Sequence, residues 1–186
     1  MGKMEFYLVS SLEKVFPCKR PEPMKNTTLS VWVGMRGAVQ LVFHGSEKDK
    51  GSLWHSYRIS VKGAPVSAEL YKVELLPSDF PSWEAAAEDE NYLTHEPGLF
   101  PDLLMPLEDG LIRPIPRQYR SVWISFPVTE ETLPGTYEVT IEAKPEGAGN
   151  AGNASLSFFL RVGNVKPDKQ ELIHTEWFHG DCLADY

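Results

Sequence analysis

The stretch RSVWISFPVTEETLPGTYEVTIEA, residues 120–143, decides the fold class of this chain. Apolar residues recur at every second position in both of its halves: Val122, Ile124 and Phe126, then Tyr137, Val139 and Ile141. Because successive side chains of a β-strand point to opposite faces, this period is typical of strands with one buried face. Between the two halves, Pro134-Gly135 is a turn signal. The stretch therefore predicts two strands joined by a turn.

The same period recurs in six further runs, so about eight short strands are expected in all. The runs are EFYLV from Glu5, TLSVWVGM from Thr28, AVQLVFHG from Ala38, SYRISVKG from Ser56, VSAELYKVELL from Val66 and SLSFFLRV from Ser155. In VSAELYKVELL the apolar residues change face midway, which indicates a bulge. Strands of this length with regular turn signals predict an all-β fold, an antiparallel, immunoglobulin-like β-sandwich, with a closed barrel as the alternative.

The segment from Pro77 to Gln118 interrupts the alternation and is rich in proline. We expect one long irregular loop here, with no more than a short helix between Trp83 and Glu90. A loop of about forty residues is unusual in a compact domain and is usually functional or interfacial. Its apolar residues predict that it packs on the sandwich or on another domain.

Composition restricts the classes of partner. The net charge is −8 and the pI is about 5.1, which argues against a nucleic-acid groove or an anionic membrane surface. The N-terminus has no secretory signal pattern and no run is long and apolar enough to span a membrane, so we expect a cytoplasmic protein. Cys18 and Cys182 are the only cysteines, too few for a disulfide framework, and we expect free thiols. No cofactor is predicted.

The terminal stretch HTEWFHGDCLADY suggests a metal or nucleophile site. However, His174 and His179 are five residues apart, so they point to opposite faces of a strand and about 140° apart on a helix. A zinc site on His174, His179 and Cys182 would therefore need distant ligands as well. A Cys182–His179 nucleophilic pair lacks an orienting third group. We predict no metal, and a small metal-dependent enzyme centred on these three residues stays an alternative.

Two further types of site concern sugars. Trp32 and Trp123 fall on the polar faces of their strands, and Trp54 and Trp83 fall in or near loops. If such tryptophans line up, they form the stacking platform of a stand-alone carbohydrate-binding module, which is the first alternative, ahead of the metal-dependent enzyme. Glycosidic hydrolysis needs two facing carboxylates, and the acidic residues here are scattered. No catalytic residue is predicted.

Three stretches together resemble one family: EPGLFPDLLMPL from Glu96, the stretch from Arg120 to Ala143, and IHTEWFHGDCLADY from Ile173. They are similar to the N-terminal region of large bacterial proteins of the domain-of-unknown-function 4091 group, which is related to glycoside hydrolase family 123. The resemblance implies a β-sandwich followed by a catalytic (β/α)-barrel. That barrel would hydrolyse N-acetylated amino sugars with help from the substrate's acetamido group and an Asp-Glu pair. No position of this chain matches that pair.

The resemblance also implies a domain organisation. Residues 1–165 would be the accessory sandwich, 166–171 a linker, and 172–186 the start of a barrel that is truncated in this chain. Trp177, His179 and Asp181 would then follow or end the first barrel strand and face a substrate only beside the remaining barrel. By this interpretation the chain is non-catalytic, its partner is the C-terminal barrel of the same polypeptide, and carbohydrate is a possible ligand.

Overall fold

The alternating runs form strands of two five-stranded sheets. The computed structural model describes residues 4–45, 56–79, 94–146, 152–166 and 168. Their strands are β1 Glu5–Ser10, β2 Thr28–Trp32, β3 Arg36–His44, β4 Tyr57–Lys62, β5 Glu69–Ser78, β6 Gly98–Pro106, β7 Leu111–Ile112, β8 Arg120–Pro127, β9 Gly135–Pro145 and β10 Ala154–Gly163. The described residues contain no helix. The predicted all-β fold is thus confirmed.

The strand order makes the fold a sandwich. The first sheet has the order β1-β3-β8-β5-β6 and is antiparallel throughout. The second sheet has the order β2-β10-β9-β4-β7, in which β2 lies parallel to β10 and the other pairs are antiparallel. The predicted antiparallel β-sandwich is confirmed, with this one parallel pair as the exception. Only residues 33–35 connect β2 to β3, and this short connection passes from the second sheet to the first.

The apolar faces of the two sheets form one core. Val122, Ile124 and Phe126 of β8 have no exposed surface, as the alternation predicts, and Phe126 packs edge-on against Phe158 at 5.8 Å between ring centroids. Tyr137 is half-buried, and its hydroxyl donates a 2.7 Å hydrogen bond back to the carbonyl of Leu133. This hydrogen bond resembles the tyrosine corner of immunoglobulin-type sandwiches, and it fixes the turn that leads into β9.

The described residues form ten strands where about eight were predicted for the chain. All eight predicted strands occur, and the two additional ones, β6 and β7, lie inside the segment that was expected to be an irregular loop. The prediction failed because β6 is an edge strand without alternating burial, and it contains prolines, which edge strands tolerate. The predicted bulge at the change of face between Leu70 and Tyr71 does not occur, because pairing is regular there. The register shifts instead between Glu74 and Leu75, and the additional residue is Asp102 on the neighbouring strand β6.

Candidate interaction surface

The predicted site residues of the C-terminal stretch cannot be located. Trp177, His179 and Asp181, together with His174 and Cys182, lie outside the described residues. The substrate-facing role of the first three and the metal-enzyme alternative therefore stay predictions. Within the described part of the chain, no group of three or more His, Cys, Asp or Glu side chains could hold a metal ion.

The two described tryptophans lie on opposite outer faces of the sandwich. Trp32 is at the edge of the second sheet, beside Gly163, and is half exposed. Trp123 lies on the outer face of the first sheet, since its neighbours Val122 and Ile124 point into the core. Trp54 and Trp83 fall outside the described residues. Trp32 and Trp123 therefore do not form one row of stacking platforms.

A strap, residues 11–24, crosses the outer face of the first sheet. It connects β1 to β2 and buries Val15 against Val9 and Val42, which form a second small apolar cluster outside the main core. The amide of Tyr119 donates to the carbonyl of Pro17 at 2.9 Å. Because the strap covers β3 from outside, this central strand is buried on both faces.

Gln40 anchors the strap. Its side chain is 3% exposed, and its Nε2 donates to the carbonyls of Ser10 at 3.1 Å and Glu13 at 2.7 Å. Its Oε1 accepts a 2.9 Å hydrogen bond from the hydroxyl of Ser121. A buried amide with satisfied donors and acceptor fixes the path of the chain, since each unpaired group would cost about 1–3 kcal/mol. Sequence reasoning missed Gln40 because its partners are backbone carbonyls of a segment without pattern.

The strap also reaches the edge strand β6. Phe16 packs edge-on against Phe100, with ring centroids 5.7 Å apart. Lys14 Nζ donates to the carbonyl of Pro101 at 3.1 Å and lies 3.5 Å from the carboxylate of Asp102. A lysine on an edge strand hinders the addition of a foreign strand at that point. The strap therefore covers the bulged part of β6 and hinders the pairing of another strand there.

Beside the strap lies a network of polar side chains. Arg36 pairs with Glu69 and donates to the hydroxyl of Ser125 at 3.0 Å, and Tyr71 donates to Glu69 at 2.9 Å. These hydrogen bonds, first that of Arg36, lower the pKa of Glu69. A general acid near neutral pH needs a raised pKa instead. The network therefore orders the surface around Trp123 and has no features of an acid-base pair.

The remainder of β6 exposes apolar side chains, which we call the β6 apolar edge. Five large residues are each 39–46% exposed on β6 and the adjoining part of β5: Leu76, Leu99, Leu103, Leu104 and Met105. Register places Leu103 opposite Glu74, Leu104 opposite Val73 and Met105 opposite Lys72, so both faces of the strand contribute. Asp102 is the single charged residue of β6. Exposed apolar clusters of this kind mark interaction sites.

The outer face of the second sheet has a different character. Glu142 of β9 pairs with Lys62 of β4 at 2.8 Å and with Lys144 at 2.9 Å. Hydrogen bonds from these two lysines lower the pKa of Glu142 to about 2. Paired charges of both signs are typical of a solvated face. The β6 apolar edge is therefore the better candidate for an interface.

Comparison with known proteins shows that this chain is similar to others in fold. No protein-family model and no curated protein matches the sequence. Among solved structures, the chain is similar to a family 123 glycoside hydrolase from Clostridium perfringens, with a TM-score of 0.64 and 12% identity over 88% of this chain and 28% of that one. The chain thus spans little more than a quarter of the length of that hydrolase. At this identity the similarity concerns the fold alone.

Two other similar structures are more distant. A type I cohesin from Pseudobacteroides cellulosolvens has a TM-score of 0.32 and 12% identity, covering 78% of this chain and 96% of that one. A PapD-like domain of human CEP192 has a TM-score of 0.35 and 13% identity, covering 89% and 87%. Neither superposition is close enough to support a functional argument. No helix among the described residues has the length and apolar character needed to cross a membrane.

Proposed function

We propose that this chain is the non-catalytic β-sandwich domain of a glycoside-hydrolase-like protein and that it packs on the catalytic domain of the same polypeptide. The observation that carries the proposal is the β6 apolar edge. The fold similarity to part of a family 123 hydrolase supports the choice of partner, because that enzyme has most of its length outside the matched region. The catalytic domain would act on N-acetylated amino sugars, with Trp177, His179 and Asp181 beside the substrate.

The apolar edge has the size of a useful docking surface. Each of its five side chains is a little under half exposed. Full burial of such a side chain is worth about 1.5–3 kcal/mol, so covering the exposed part is worth about 1 kcal/mol for each residue. The five together would contribute on the order of 5 kcal/mol to domain packing. The outer face of the second sheet exposes Trp32 and Phe159 beside its charged pairs, and the same reckoning gives on the order of 2 kcal/mol there.

The first test concerns the coding sequence after Tyr186. The proposal expects a further reading frame long enough for a barrel of about 250 residues. A stop codon directly after Tyr186 would contradict the proposal. Deletion of residues 172–186 from this chain should then leave the cooperative unfolding of residues 1–165 unchanged, as measured by urea denaturation. Loss of folding on that deletion would place the C-terminal stretch in the sandwich itself.

The second test addresses the interface in the longer polypeptide. Leu103→Ser combined with Met105→Ser should make the sandwich and the catalytic domain unfold in separate calorimetric transitions, because the packing energy between them is reduced. The matched control is Leu133→Ser, which changes an exposed leucine in the β8–β9 connection. In the isolated chain the double variant should be as stable as the parent sequence. A double variant that behaves like the control in the longer polypeptide would refute the β6 edge as the docking surface.

A further inference from the structure

One end of the sandwich contains a cavity of about 390 Å³ between the two sheets, which we call the end cavity. Phe43 of β3 and Ile112 of β7 provide buried apolar walls, and Lys72, Arg113 and Arg120 bring positive charge. Strand pairing places these residues, since Phe43 lies opposite Arg120 and Ile112 opposite Tyr57. Pockets that bind small molecules have volumes of about 300–1,000 Å³ and combine apolar walls with a few polar groups.

The charge of the end cavity differs from that of the chain. Asp109 is the one carboxylate among the described lining residues, and Glu74, next to the cavity, pairs with both Lys72 and Arg120. Three cations against two carboxylates leave one net positive charge, in a chain whose net charge is −8. This balance suits a ligand with one negative charge better than a phosphate dianion or a polyanion.

Arg120 is held in position for a ligand. It is 8% exposed, and its Nη2 donates to Glu74 at 2.8 Å and to the carbonyl of Val73 at 3.3 Å. Within the described part of the chain, its Nε and Nη1 donate no hydrogen bond to a protein atom. A guanidinium fixed through Nη2 keeps N–H donors at Nε and Nη1, each of which can donate one charge-assisted hydrogen bond to an oxygen of an anionic ligand.

The remaining walls can bind hydroxyl groups. Arg113 Nε donates to the hydroxyl of Ser56 at 3.3 Å, so both groups lie at the same side of the cavity. Asp109 accepts a 2.9 Å hydrogen bond from the amide of Leu111, which fixes its carboxylate in the wall of the cavity. Hydroxyl donors of a ligand can pair with this carboxylate, while its apolar side packs on Phe43 and Ile112.

We propose that the end cavity binds a small hydroxylated monocarboxylate of the size and polarity of a hexuronate. Arg120 and Arg113 pair with the carboxylate, Lys72 adds charge, and Asp109 and Ser56 pair with hydroxyls. The site adjoins the β6 apolar edge, since Lys72 lies opposite Met105, but it shares no lining residue with that edge and does not depend on the function proposed above.

The test is a calorimetric titration of the chain with glucuronate, with glucose as the neutral probe and inorganic phosphate as the multivalent one. Arg113→Gln and Lys72→Gln change side chains at the cavity that are partly exposed, so both variants should fold. Each should weaken glucuronate binding about tenfold, the effect of losing one charged hydrogen bond. Arg161→Gln is the matched control, because it removes the same charge from the exposed face of β10.

The result expected is saturable binding of glucuronate that weakens as salt is added, with the control variant within about twofold of the parent chain. Circular dichroism spectra of the variants serve as the folding control, so that a loss of binding can be told apart from a loss of folding. The proposal is overturned if glucuronate does not bind, if glucose binds as tightly, or if phosphate binds more tightly than glucuronate. It is also overturned if Arg113→Gln and Arg161→Gln weaken binding equally.

Discussion

Replacing the buried amide of Gln40 by a carboxyl should uncouple the strap in a pH-dependent way. In the parent chain, Gln40 Nε2 donates to the carbonyl of Ser10, where the strap begins, and to that of Glu13 within the strap. In Gln40→Glu, an ionised carboxylate would face both carbonyls in a site that is 3% exposed. The group will therefore take up a proton in the folded state, so its pKa will lie above that of an exposed glutamic acid.

The magnitude follows from proton linkage. Keeping a carboxyl protonated at pH 7, when its unfolded pKa is about 4.3, costs about 3.7 kcal/mol at 1.36 kcal/mol for each pH unit. The protonated carboxyl donates one hydrogen bond where the amide donates two, which costs about 1 kcal/mol more. The free energy of unfolding should thus fall by about 4–5 kcal/mol at pH 7 and by about 1 kcal/mol at pH 4. The sign is that of a raised acid pKa: the penalty is small below the unfolded pKa and grows as pH rises towards the folded one.

The assay is urea denaturation at pH 7 and pH 4, followed by tryptophan fluorescence. Trp123 lies opposite Gln40 in the sheet and is half-buried, so it reports on this site. If the strap detaches before the sandwich unfolds, trypsin should cut the folded variant after Lys14 or Lys19 at pH 7. The control is Gln118→Glu, at a less buried glutamine, which should change stability by less than about 0.5 kcal/mol.

Two outcomes for Gln40→Glu would refute the reasoning. One is a loss of less than about 1 kcal/mol at pH 7 with a strap that resists trypsin, because the amide would then not be the anchor. The other is the same loss at both pH values, since the penalty would then come from packing and not from charge.

Two further predictions concern the second sheet. Gly63 has φ +79°, and a Cβ there would lie 2.1 Å from the carbonyl oxygen of Glu138, so Gly63→Ala should cost at least about 2–3 kcal/mol in urea denaturation. The control Gly98→Ala, where a Cβ meets no atom within 4 Å, should be neutral, and equal effects of the two would contradict this. Glu142→Gln should lower stability above pH 4.5, and the difference from the parent chain should vanish as pH falls towards 2, because hydrogen bonds from two lysines hold the pKa of Glu142 near 2. A difference that persists at pH 2 would contradict that cause.

The strands that face one core were predictable from the sequence, and the surfaces of the first sheet were not. Alternation marks Val39, Leu41 and Phe43 as buried, and all three are. It also predicts that the intervening residues face water, yet Gln40 and Val42 are buried under the strap. The sequence of the strap shows no hydrophobic periodicity, because one valine, one phenylalanine and backbone carbonyls hold it in place. Such contacts depend on which strands become neighbours, and local pattern does not contain that information.

The order of the strands also decides which surface can serve as an interface. Trp32 and Trp123 both lie on the polar sides of their strands, as the alternation predicts, but the two strands belong to different sheets. They therefore point in opposite directions, whatever their spacing in sequence. Strand order also decides the exposure of β6. Its leucines have the composition of a core strand, but its position at the edge of the first sheet leaves them exposed. An apolar strand at an edge is an aggregation hazard unless something covers it. Among the described residues, the strap covers β6 from Phe100 to Asp102. The domain packing proposed above would cover the remaining leucines and Met105, and a domain of the same polypeptide would do so at the high effective concentration that a covalent link provides.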